Sequence, residues 1–122
     1  MNIFKKIKNF LNKRKNAPCI IAADEVGIRF LQDNSTIGKF QWDECSKIVT
    51  YKDDLLTTDL ICLEFELSNG TVYLAHEEQP GFEDLISALS TAFPGIDGNW
   101  YVEVMTPAFE RNYRVLHPEH NK

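Results

Sequence analysis

The residues able to do chemistry are few and scattered. His76 is followed by Glu77 and Glu78, but H-E-x-x-H is not completed, because Gln79 and Pro80 come next. An ordinary strand-end histidine accounts for it. His117 and His120 stand three apart in a tail broken by Pro118, which reads as solvated rather than as a ligand pair. Cys19, Cys45 and Cys62 form no C-x-x-C, and spacing alone sets no base beside any of these thiols. No G-x-S-x-G, Gly-rich phosphate loop or G-x-G-x-x-G is present. These patterns predict no catalytic residue, no metal and no cofactor.

The densest group of ionisable side chains is acidic. In "YKDDLLTTDLICLEFEL", residues 51 to 67, Asp53, Asp54 and Asp59 bracket a loop, and Glu64 and Glu66 lie on the strand beyond it. Two carboxyls can form a general acid–base pair, but charged loops are usually solvated faces or docking surfaces. Tyr51 at the loop mouth reads equally as a partner anchor or as packing. Trp42 and Trp100 read as core residues.

Charge is unevenly placed along the chain. Residues 1–15 hold six of the 13 basic residues and none of the 18 acids, so the remainder carries seven bases and a net charge of −11. Such a body repels nucleic acid and attracts basic partners. The basic arm can touch anionic lipid or RNA, or fold back on the body. The positive start is followed by no apolar run of about 7–15 residues, so no leader is expected. An odd number of cysteines in no paired pattern fits a reducing cytoplasm.

The elements that must position these groups show in the hydrophobic period. In residues 2–13, Ile3, Phe4, Ile7, Phe10 and Leu11 recur at helical spacing with lysines opposite, which predicts a short amphipathic helix. Phe4, Lys5, Lys8, Phe10 and Leu11 are its candidate membrane contacts. Pro18 closes this segment, giving a basic unit over 1–17 and a single domain over 18–122. Strands are predicted over 19–23, 27–32, 36–42, 46–52, 59–67 and 71–76. In 59–67, Ile61, Leu63, Phe65 and Leu67 share one face, and Leu60, Cys62, Glu64 and Glu66 the other. An Asn-Gly turn at 69–70 joins the last two strands. Phe82, Leu85, Ile86, Leu89 and Phe93 predict a helix over 80–93. Residues 99–105 fit either helix or strand, and 112–117 a last short piece. The sum is an α+β domain: a curved antiparallel sheet of about six strands, covered by the 80–93 helix, pleckstrin-homology-like in outline.

Trp42, Ile48, residues 51–65, "HEEQPGF" (76–82), "FPG" (93–95), Trp100 and "PAFERN" (107–112) together resemble small bacterial immunity proteins. The group has a pleckstrin-homology-like fold and includes members of contact-dependent growth inhibition systems. The resemblance covers residues 19–116. It implies a protein that binds and neutralises a cognate toxin domain, often a nuclease, and that is not an enzyme. The resemblance carries over no contact residues; by position and charge, Tyr51, Asp53, Asp54, Asp59, Glu64 and Glu66 are the candidates to meet a basic toxin. The alternative is a lipid-surface module using the basic arm; against it, Asp24 and Glu25 occupy the loop where such modules carry Lys and Arg. Because the resemblance starts after Pro18, residues 1–15 are expected to be dispensable for the fold.

Overall fold

The computed structural model describes residues 19–54, 59–105 and 113–118, except for the side chains of Asp54 and Asp59. The helix predicted over 2–13 and the boundary at residue 17 lie outside them. Seven strands and two helices follow in the order β1 Ile20–Ala23, β2 Gly27–Gln32, β3 Ser35–Gln41, β4 Cys45–Asp54, β5 Asp59–Leu67, β6 Val72–His76, α1 Phe82–Ala92, α2 Trp100–Met105 and β7 Arg114–His117. A single 3-10 turn, Trp42–Glu44, joins β3 to β4.

The architecture is α+β, with two antiparallel sheets in place of the one expected. The first has the order β1-β2-β3, and the second β6-β5-β4-β7. The 3-10 turn is where the two sheets divide. Asp33 and Asn34 both have positive φ and join β2 to β3 as a two-residue loop, which only a primed turn allows. The 69–70 turn is a three-residue loop instead. Gly70 alone carries positive φ there, and its N–H and that of Leu67 close the loop on Leu67 and Thr71.

The principal core gathers Ile21, Ile28, Phe30 and Phe40 from the first sheet with Ile48, Ile61, Leu63, Phe65 and Leu67 from the second. Phe82, Leu85 and Leu89 of α1 and Trp100 and Val104 of α2 close it. The apolar stripe of α1 is thus spent on covering the sheets. Trp42 and Trp100 are core residues, as their type suggested. The Trp42 ring packs near Phe40, Phe65 and Phe93, and its Nε1–H donates to the Asp24 carbonyl at 2.8 Å. Residues 99–105 resolve as helix because Trp100 and Val104, four apart, both reach this core.

Candidate functional site

Antiparallel register decides which of the acidic-stretch residues share a surface. On the face of the second sheet away from α1 and α2, β4 and β5 pair Lys47 with Glu66, Val49 with Glu64, Tyr51 with Cys62 and Asp53 with Leu60. β6 extends these rows with Val72, Leu74 and His76, and β7 adds Val115. The sheet therefore brings Tyr51, Asp53, Glu64 and Glu66 onto one face. Asp54 and Asp59 pair with each other at the end of the hairpin.

Their environment differs from the one expected. Tyr51 is fully buried and Asp53 is 8% exposed. Neither stands at an open loop mouth, so Tyr51 cannot meet a partner without uncovering the face. Val49, Tyr51, Leu60, Cys62 and Leu74 form a second buried cluster here, separate from the principal core. Glu64 is half-buried, and Glu66 is the exposed one of the three acids on this face. The alternation of β5 correctly assigned the faces. It left open whether the second face was covered, and at its Leu60–Cys62 end it is.

The same face holds the nucleophile and base that spacing could not pair. Cys62 and His76 are cross-strand partners, and both are closed to solvent. The Cys62 thiol donates to the Leu60 carbonyl, and His76 Nδ1 accepts from the Glu78 N–H at 3.3 Å. This holds them as parts of the packing. Cys19 and Cys45 are also buried thiols. Burial pushes the Cys45 thiol up to about 11, so it stays protonated and a poor nucleophile at neutral pH. Among the described residues, no group of three or more His, Cys, Asp or Glu side chains is placed to hold a metal ion.

A corner missed by the sequence reading ties the second sheet to the helices. Glu77 accepts the Ile61 N–H with one carboxylate oxygen and the Tyr101 hydroxyl with the other, at 2.9 and 2.7 Å. Burial, then the Glu77 carboxylate, push the Tyr101 phenol up to about 12. Gln79 Oε1 accepts the His76 N–H, and the Pro80 carbonyl accepts the Ile21 N–H of β1. Gly81 follows with φ of +94° and abuts the Ile21 carbonyl. Buried Lys52 donates from Nζ to the Met105 carbonyl at the end of α2, at 2.7 Å. The signal available was "HEEQPG" itself, a polar run between an apolar strand and an apolar helix, where backbone donors need side-chain partners.

Exposed charge is concentrated elsewhere. Asp24 and Glu25 in the β1–β2 turn lie next to Asp43 and Glu44 of the 3-10 turn, because the Trp42 N–H donates to the Val26 carbonyl. The backbone N–H groups of Val26 and Gly27 hold the Asp24 carboxyl below its ordinary value. Val26, 56% exposed, stands among these acids. The exposed bases among the described residues are Arg29, Lys39 and Arg114, and Arg114 is paired with Glu103 at 2.8 Å. No described helix is long and apolar enough to cross a membrane. The membrane-contact candidates Phe4, Lys5, Lys8, Phe10 and Leu11 lie outside the described residues.

No family model, curated protein or solved structure matches the chain.

Proposed function

We propose that this chain is an immunity protein that binds a basic cognate toxin domain, a nuclease in the first instance, and neutralises it by occlusion. The observation that carries the reading is the distribution of exposed charge. Among the described residues, acids outnumber bases at the exposed positions, and Asp24, Glu25, Asp43 and Glu44 crowd one end of the fold around an exposed Val26. A nuclease that grips phosphates presents a basic cleft, and an acidic surface of this kind is drawn to it and speeds encounter. The described cysteines and histidines serve packing, in keeping with a binder. The motifs that suggested the resemblance are consistent with this division of labour. Trp42, Ile48, Gly81, Phe82, Phe93 and Trp100 pack the fold, so they bear on the scaffold and not on the contact surface.

The test is co-expression of the full chain with the toxin domain encoded beside it. Growth should be restored, and the two proteins should co-purify as a stoichiometric complex. Toxicity that persists in the presence of abundant folded chain overturns the reading. Within such a complex, replacing Glu25 and Asp43 together by Lys should slow association, more so at low salt, with dissociation little changed.

A further inference from the structure

The outer face of the first sheet is open to solvent and carries its own complement. Ile21, Ile28, Phe30 and Phe40 turn into the principal core, so alternation turns Ile20, Ala22, Arg29, Leu31, Lys39 and Gln41 outward. Ile20 and Ile37, 41% and 50% exposed, flank Leu31 from the two outer strands. Two residues along the sheet, Arg29 pairs with Lys39, and like charges directly opposite each other work against a sheet. Among the described residues, neither base closes an ion pair. Two residues further again, the Asp24 carboxylate accepts the Gly27 N–H at 3.1 Å and the Glu44 carboxylate accepts the Gln41 N–H at 2.9 Å. These bonds pin two acids at the level where Gly27 pairs with Gln41, with exposed Val26 just beyond. Arg29 and Lys39 share one concavity of about 410 Å³ with Asp24 and Glu44.

We infer that this face is a contact between two copies of the chain. Its rows run apolar, cationic, then acidic with Val26, from one end of the strands to the other. A two-fold axis crossing the strands where Ile28 pairs with Phe40 sets each row on its complement. The level of Arg29 and Lys39 lies one residue, about 3.3 Å, to one side of that axis, and the level of Gly27 and Gln41 lies as far to the other. The two bases of one copy therefore fall opposite Asp24 and Glu44 of the second copy. Ile20 and Leu31, three residues from the axis, fall opposite the Glu25–Val26 tip, so exposed apolar side chains meet. A second copy fits better than an unrelated partner because one surface supplies both halves of the match, as an isologous contact requires. Three strands by about seven residues is about 14 Å by 23 Å, small for a specific interface, so the dimer is transient, with Kd on the order of 100 μM. Where the toxin reading holds, the dimer covers the acids that meet the toxin and is a resting form that a tighter partner displaces; this consequence alone depends on that reading.

Sedimentation equilibrium of the full chain, from about 10 μM to about 1 mM, reads the contact directly. The wild type should pass from monomer towards dimer over that range. Lys39→Glu and Glu44→Lys, each alone, should weaken association about tenfold or more, because each sets like charges opposite one another twice across the axis. Mixed in equal amounts, the two variants should dimerise again, since the exchanged charges then face each other at both sites. Ile37→Asp should also weaken the dimer and leave the fold intact, because Ile37 is exposed. A wild type that stays monomeric at the highest concentration overturns the inference. So does a dimer that neither charge change weakens, or a mixture that stays monomeric while both variants are folded by circular dichroism. Should either charge variant fail to fold, Ile37→Asp decides, and a dimer as strong as the wild type's overturns the inference. These measurements use the chain alone, so their failure leaves the toxin reading standing.

Discussion

Replacing Gly81 by Ala tests the reasoning about the corner that joins the second sheet to α1. Two separate penalties act there. The residue sits at φ +94°, a conformation that costs an L side chain about 1–2 kcal/mol. A Cβ would also press on the backbone carbonyl of Ile21, well inside the 3.0 Å limit that real contacts respect. Backbone cannot swing aside as a flexible side chain does, so β1 must move. That movement loosens the Ile21 N–H bond to the Pro80 carbonyl, worth about 1 kcal/mol, and the packing of Ile21, which is 3% exposed. Together the loss is about 3 kcal/mol, or a fall in Tm of about 12 °C for a chain of this size. Two other glycines separate the causes. Gly70 has φ +93° but open space around its Cβ direction, so Gly70→Ala should cost only the strain, about 1 kcal/mol. Gly98 has neither feature, and Gly98→Ala should stay within about 0.5 kcal/mol of the wild type. Thermal melts followed by circular dichroism give the ranking directly. A Gly81→Ala loss no larger than that of Gly70→Ala would refute the close approach of β1 to this turn.

Three further outcomes are expected. Asp53→Lys should lower Tm clearly, because it forces a longer, cationic side chain into an almost closed site, whereas Glu66→Lys at an exposed position on the same face should shift stability by no more than about 0.5 kcal/mol; equal melting curves would show Asp53 to be solvated. Tyr101 holds its proton in the folded chain above pH 10 and releases it there once unfolded, so stability should fall as pH rises from about 10 to about 12. Tyr101→Phe should flatten that slope in denaturant titrations, and an unchanged slope removes the Glu77 contact as its cause. Trp42→Phe keeps most of the ring packing but deletes the donor to the Asp24 carbonyl, and should cost about 1–2 kcal/mol by urea unfolding; a neutral result would mean that water replaces that bond.

Much of the local structure was legible in residues 19–105. The strict alternation of 59–67 and the stripe of Phe82, Leu85 and Leu89 each match one backbone period, and a period is a local property. Core roles for the two tryptophans followed from their size and chemistry. The Asp33-Asn34 turn went unread because either residue also suits an ordinary loop. Only the pairing of Gln32 with Ser35 forces both into positive φ. Residues 99–105 stayed ambiguous because seven residues hold too few repeats to separate the two periods. Contact of Trp100 and Val104 with the core decided in favour of helix. The acidic stretch shows the limit most clearly. Its sequence by itself determined that Leu60, Cys62, Glu64 and Glu66 share a face, since successive side chains in a strand must alternate. It did not determine that Tyr51 and Asp53 on the neighbouring strand join that face, or that they lie out of solvent there with Leu60 and Cys62. Register across strands and the cover over a sheet face depend on segments distant in the chain, and only the tertiary structure brings those together.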